Sequence, residues 1–264
     1  MDTVGLKVEG VGAVRILGLD NPARKNALTS DLYNTLTLAL QAADKDESVR
    51  VVLLTGTDRV FCSGNDLDDF LDNPIRDAGH PVYRFMNQLS RFEKPVVAAV
   101  EGHAVGIGCT LLLHCDFVYA GQSAFFQMPF VQLGICPEFG STFILPALLG
   151  RQRAAELLLL GERFDAATAE TLGLINRQVP DDQVMKAALE VAQRLAAAAP
   201  LAIQATKKLM GRAERSEFDR AMSAELEVLV EALQGEEFTQ AVAAFKAKQV
   251  ARRKDVPQER KQAG

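Results

Sequence analysis

Five consecutive small apolar residues, Val96 to Val100, stand between Pro95 and Gly102. A run that short, without polar alternation, predicts a strand buried on both faces. The pattern recurs in Val49–Thr55, closed by Gly56, and in Phe117–Ala120, closed by Gly121. VRVVLLTG, KPVVAAVEG and CDFVYAG thus read as three versions of one unit, a weak internal repeat that predicts a layered parallel core. Ahead of them, Leu6–Glu9 and Ala13–Leu17, joined through Gly10 and Gly12, predict a strand hairpin. Thr29 or Ser30 can cap a helix running to about Ala43. Cys109–Cys115, Arg151–Leu160 and Val184–Ala199 read as further helices, the last stopped by Pro200.

Beyond Pro200 the pattern is helical throughout. Phe218, Ala221, Met222, Leu226, Leu229, Val230 and Leu233 keep helical spacing within Ser216–Leu233. In Glu236–Ala251, Phe238, Val242 and Phe245 share one face. The expected division is an α/β core over residues 1–200 and a helical region over 201–264. A helical appendix buries little alone, so it should pack on the core or on a neighbouring subunit. The last dozen residues are charged and expected to fray. Asp72–Pro81, rich in charges, Pro and Gly, predicts a mobile surface loop, and Pro129–Thr142 is loop-rich.

Composition narrows the function classes. With 264 residues, 48% of them hydrophobic and 24% charged, the chain can build one sizeable core as a soluble globular protein. A net charge of −5 argues against a general nucleic-acid or acidic-membrane binder. The four cysteines lack C-x-x-C spacing and three sit in apolar runs, which predicts buried free thiols in a reducing compartment, neither disulfides nor zinc. MDTVGLKVEG is no signal peptide, no apolar run is long enough to span a membrane, and KQAG is no peroxisomal address. A cytoplasmic protein is expected.

Candidate chemistry concentrates at two glycine turns and one acid. Gly64, in FCSGNDLDDF, and Gly106 with Gly108, after Val96–Val100, each precede a helix start. Backbone N–H groups of a first helical turn have no partner within the helix. The N–H groups of Asn65 and Ile107 could together receive negative charge on a carbonyl oxygen; the alternative is that the glycines only turn a tight core. Glu138 stands among Ile135, Cys136, Pro137 and Phe139. Partial desolvation there would raise its pKa toward that of a usable base, whereas an exposed loop glutamate would do nothing. Other motifs fail: there is neither G-x-G-x-x-G nor Walker A, His80, His103 and His114 lack metal-ligand spacing, and Ser63 and Ser141 lack a G-x-S-x-G elbow. Arg24, Lys25, Lys207, Lys208, Lys246 and Lys248 read as solvated charges that gain meaning only if a ligand carries phosphates.

FCSGNDL, KPVVAAVEGHAVGIGCTLLLHCDFVYA and GERFDAATAETLGLINRQVP, in that order, resemble the crotonase (enoyl-CoA hydratase/isomerase) superfamily over nearly the whole chain. The resemblance implies a spiral of ββα units with a C-terminal helical trimerisation region, assembled as a homotrimer or a dimer of trimers. It implies an acyl-CoA substrate and no separate cofactor, with the thioester oxygen between the N–H groups of Asn65 and Ile107. Residues matching the substrate site are Ser63, Gly64, Asp66, Leu67, Gly106, Gly108 and Pro137. The loop holding Ala23, Lys25 and Ala27 matches the one near the adenosine phosphates, and Phe245 and Lys248 match residues that complete a neighbouring subunit's CoA site.

Departures from the family pattern are equally informative. Hydratases carry two water-activating glutamates at the positions of Thr110 and Phe130, and neither residue here is an acid. The CSGNDL run, the AVGI turn and Pro137-Glu138-Phe139-Gly140-Ser141 resemble instead the type 2 Δ3-Δ2-enoyl-CoA isomerases. The implied reaction is a proton shuttle by Glu138 from C2 to C4 of a 3-enoyl thioester. The alternatives are a hydratase or dienoyl-CoA isomerase of the same superfamily, or a non-catalytic acyl-CoA binding protein. A serine protease of related fold would need a Ser-His-Asp set that cannot be assembled here.

Overall fold

The computed structural model describes residues 5–212 and 215–254, and the side chains of all of these except 212 and 248–254. The hairpin forms from β1 (Leu6–Val11) and β2 (Val14–Leu19). Next comes α1 (Ser30–Lys45), capped by Thr29, whose side chain accepts from the Leu32 N–H at 3.3 Å. Ser30 is not the cap; its N–H and hydroxyl both bond the Asp69 carboxylate at 2.8 Å. The repeat units then follow as β3 (Val51–Gly56), α2 (Leu67–Asp72), α3 (Pro81–Ser90), β4 (Val96–Val100), β5 (His103–Val105), α4 (Ile107–Thr110), β6 (Phe117–Gly121) and β7 (Phe125–Gln127).

Each turn of the spiral lays one strand in a large sheet and a short one in a small sheet. The large sheet runs β1-β2-β3-β4-β6-β9, where β9 is Arg177–Val179, and every pairing from β2 onward is parallel. The small sheet, β5-β7-β8 with β8 at Phe164–Asp165, is extended by parallel bridges between Cys62 and Ala104 and between Leu28 and Asn65. The lack of alternation in the apolar runs has a direct cause. Val52 and Leu54 face the main core, while Val51 and Leu53 face a second cluster closed by Val184, Ala188 and Ala192. Both faces of the large sheet are covered, so neither tolerates polar residues.

Several expectations need correction. Cys109–Cys115 is not one helix: α4 ends at Thr110 and Leu111–His114 tightens to a 3-10 turn, returning the chain to β6. Asp72–Pro81 is anchored rather than merely superficial. Ile75 is buried, His80 Nε2 bonds the Asn73 carbonyl at 3.0 Å, and His80 Nδ1 caps the Val82 N–H. The loop-rich Pro129–Thr142 leads into α5 (Ser141–Leu149), followed by α6 (Arg151–Ala155). The remainder of the helix expected to end at Leu160 is a π turn, Glu156–Leu160. After α7 (Ala166–Thr171) and α8 (Val184–Ala197), Pro200 does not only stop a helix but begins α9 (Pro200–Arg212), since proline suits a first helical turn.

The chain ends in α10 (Arg215–Leu233) and α11 (Glu236–Lys254). Of the expected frayed tail, residues 255–264 lie outside the described residues. α10 packs on α5 and α11 on the turn Val131–Leu133. Phe218, Met222, Leu229, Phe238 and Val242 join the same apolar core as β3 and β4. The helical region therefore closes over the core of its own chain, and it brings side chains to the loop of Glu138. Among the described residues no helix is long and apolar enough to cross a membrane.

Candidate active site

Two glycine turns lie against each other at the edge of the small sheet. Val105 donates its N–H to Cys62 O at 2.9 Å, and Cys62 donates to His103 O at 3.0 Å. Leu28 donates to Gly64 O at 2.9 Å and Asp66 donates to Leu28 O at 2.9 Å. In a parallel bridge of this kind, the residue between, Asn65, points its own N–H away from the partner strand. Ile107 is the first residue of α4 after Gly106, so its N–H has no acceptor within the helix. Strand pairing thus sets the turns that carry Asn65 and Ile107 side by side, each with a backbone N–H outside the ladder and the helix.

The close approach depends on missing side chains. Gly64 has φ +96°, and a Cβ there would lie 3.0 Å from Val105 O. A Cβ on Gly108 would meet Cys62 Cβ at 2.7 Å and Cys62 O at 2.8 Å. Cys62 is thus the spacer between the two turns, and burial pushes its thiol up to about 12. All four cysteines are free thiols, with Cys62 and Cys109 buried and Cys115 and Cys136 half-buried.

Glu138 is buried, 4% exposed. Thr110, one turn along α4 from Ile107, donates its hydroxyl to Glu138 Oε1 at 2.7 Å. Glu138 Oε2 is buried and has no hydrogen-bond partner. Burial lifts the acid from its ordinary 4.5 to about 8; the Thr110 donor opposes the rise and the charge of Glu225 adds to it. A small cavity of about 10 Å³, little more than one water's room, lies beside the acid, lined by Ile75, Val82, Tyr83, Met86, Met222 and Leu226 among others. The result is a carboxylate on a loop, one oxygen held by a hydroxyl from α4 and the other unengaged beside apolar side chains.

Other residues fix this arrangement, and sequence reasoning missed them. Tyr33, from α1, is fully buried and donates its hydroxyl to the Asn65 side chain. Its pKa is raised, first by burial and then by the negative charge of Glu138. His114, assigned from sequence to the core or a turn, does more. Its Nε2 lies 2.8 Å from Phe139 O and its ring stacks on Phe139 at 3.9 Å. A carbonyl only accepts, so Nε2 carries the proton, and burial lowers the ring's pKa to about 4, keeping it neutral. Glu225, from α10, bonds the N–H groups of Gly140 and Thr142 at 2.6 and 3.0 Å. No local signal marked these residues, because each arrives from a distant segment.

The remaining predicted residues fall into two groups. Ser63, Gly64, Asp66, Leu67, Gly106, Gly108, Thr110 and Pro137 all lie on the turns and loop just described. Phe130 is buried and packs in the main core. The loop with Ala23, Lys25 and Ala27 is stitched beneath the first turn. Ser63 donates through N–H to Lys25 O at 3.2 Å and through its hydroxyl to Arg24 O at 3.1 Å. Arg24 is no isolated solvated charge: its guanidinium bonds Asp66 at 2.8 Å and Asp68 at 2.9 Å. Lys246 of α11 joins Asp68 at 2.6 Å. Phe245 is 42% exposed on that helix, and the Lys248 side chain lies outside the described residues.

A sequence profile of enoyl-CoA hydratase/isomerases matches residues 9–255. The chain belongs to the enoyl-CoA hydratase/isomerase family. Within this family, a 1,2-epoxyphenylacetyl-CoA isomerase of Escherichia coli is 36% identical over 242 residues, covering 89% of this chain and 92% of that protein. A 2,3-dehydroadipyl-CoA hydratase of the same organism is 33% identical, covering 88% and 91%. The solved structure of Pseudomonas aeruginosa OdaA is 45% identical with a TM-score of 0.90, covering 91% of this chain and 98% of that one. An enoyl-CoA hydratase/isomerase structure from Pseudoalteromonas atlantica is 39% identical with a TM-score of 0.88, covering 92% and 97%. The crotonase spiral expected from the sequence is therefore the fold of this family, and the chain is a member of a family of acyl-CoA enzymes containing both hydratases and isomerases.

Proposed function

We propose that the chain is an enoyl-CoA isomerase that moves a C3 double bond of an acyl-CoA to C2. The observation carrying this reading is Glu138, with one oxygen engaged by Thr110 and the other buried without a partner. In this mechanism the thioester oxygen accepts from the N–H groups of Asn65 and Ile107. Glu138 Oε2 takes a proton from C2, and the electron pair moves into the enolate on the thioester oxygen. The same carboxyl returns the proton to C4, and the double bond ends conjugated to the thioester. Each ~1.4 kcal/mol that the donors give the enolate is a tenfold gain in rate.

Hydration is disfavoured because water must be placed as well as deprotonated. Thr110 spends its hydroxyl proton on Glu138, and Phe130 cannot ionise. The relative named 1,2-epoxyphenylacetyl-CoA isomerase favours a second reading, a ring-bearing acyl thioester isomerised by the same base. The substrate's adenosine phosphates are assigned to the loop of Ala23, Lys25 and Ala27. Assembly as a homotrimer or dimer of trimers, with Phe245 and Lys248 serving a neighbouring subunit, belongs to the same proposal.

Glu138→Gln tests it. Turnover of a 3-enoyl-CoA should fall by about 10²–10⁴-fold, with CoA-thioester affinity by calorimetry retained. Undiminished turnover in a folded variant would sink the assignment of the base. Rapid hydration of crotonyl-CoA by the unaltered protein would move it to the hydratases, and a panel including aromatic acyl thioesters separates the two isomerase readings.

A further inference from the structure

The Glu138 loop is held in a conformation that a peptide does not adopt unaided. Phe139 has φ +65° and Gly140 φ +71°, two successive left-handed residues, the first of them bulky. Ser141 ties the loop at one point, its hydroxyl donating to Glu138 O at 2.6 Å. His114 ties it at Phe139 O. The third tie comes from the C-terminal helices. Glu225, 6% exposed on α10, accepts from Gly140 N–H at 2.6 Å through Oε2, and from Thr142 N–H at 3.0 Å and Thr142 Oγ1 at 2.5 Å through Oε1.

We propose that Glu225 is a positioning residue for the reaction: by gripping Gly140 and Thr142 it fixes where the Glu138 carboxylate points. This rests on Glu138 being the base. Gly140 has no side chain to cap α5, so the acid from α10 takes the place of a cap. The ionised form suits three donors, and burial opposes it. Glu138 is faced by Glu225 from α10, by Tyr33 from α1 and by Cys136 on its own loop, while neutral His114 bonds the Phe139 carbonyl and packs on the rings of Phe139 and Phe218. Glu225 is the anion of this set, so removing its charge weakens proton binding at Glu138. A carboxylate held this way couples the seating of the helical region to the chemistry of the core.

Glu225→Gln keeps the shape and deletes the charge. The Glu138 carboxyl, followed by carbon NMR of the glutamate-labelled protein and assigned with Glu138→Gln, should titrate at lower pH in this variant. Its kcat should fall on the order of tenfold, with KM for the thioester within about twofold, since the donor turns are untouched. Glu225→Asp should retain more kcat than Glu225→Ala. An unmoved Glu138 titration, or lost thermal stability with kcat intact, would overturn the proposal. If Glu225→Gln does not fold, Thr142→Val removes one of the three donors and keeps the acid; kcat should then fall severalfold, and an unchanged kcat overturns the proposal equally. Should Glu138→Gln remain active, the base assignment fails, yet the NMR titration still reads the coupling between the two acids.

Discussion

Burying the Glu138 carboxyl costs the protein stability. A carboxyl raised from 4.5 to about 8 by burial keeps its proton in the native state where the unfolded chain has released it. Between those two pH values native stability falls as pH rises. Glu138→Gln removes the penalty, so its melting temperature should exceed that of the unaltered protein at pH 8 to 9, with the gap closing toward pH 4. Equal gaps at both pH values in scanning calorimetry would reject burial as the cause. Thr110 acts in the opposite sense, since its hydroxyl lowers the pKa of Glu138. Thr110→Val should shift the acidic limb of the pH–kcat/KM profile upward and reduce kcat about tenfold. A limb that stays in place would detach Thr110 from the ionisation.

At the scale of elements, the site is made by two turns that touch through Cys62. α4 is only four residues long, Ile107–Thr110, and it carries the second donor at one end and the hydroxyl that holds Glu138 at the other. In the proposed mechanism, its placement sets the span between oxyanion and base. Gly108→Ala would force a Cβ within 2.7 Å of Cys62 Cβ, pushing α4 off the first turn. We expect kcat to fall by about 10²-fold, as when one oxyanion donor is lost, while circular dichroism still reports the folded spiral. Full activity would mean that the two turns do not act as one donor pair.

Across the whole molecule, the last two helices complete what the spiral begins. Phe218 of α10 meets the His114 ring edge-on at 5.4 Å and lies against Gly140. Phe238 of α11 packs edge-on against Phe70 of α2 at 6.1 Å. Phe218→Ala should cost about 3–5 kcal/mol in denaturant unfolding, and it should loosen the Glu138 loop as well. A loss below about 1 kcal/mol would show that α10 seats on the core through other contacts. The bridges from Asp68 to Arg24 and Lys246 are exposed, and pairs of that kind contribute little.

Much of this was legible along the chain because its causes are local. Val49–Thr55, Val96–Val100 and Phe117–Ala120 each read as a strand buried on both faces, since only such a strand does without alternation. Gly64, Gly106 and Gly108 marked the two turns, the first two because they take positive φ and the third because a Cβ would meet Cys62, and a carboxylate among Ile135, Cys136 and Phe139 pointed to a desolvated acid. Where the chain tightened into 3-10 or π turns, or where a charged segment was pinned by Ile75 and His80, the deciding partners were remote and the local pattern misled. Only the tertiary structure brought Thr110 to one oxygen of Glu138, Tyr33 to Asn65, and Glu225 to Gly140 and Thr142. Threonines, tyrosines and helix glutamates occur everywhere, and their meaning lies in what distant segments set beside them.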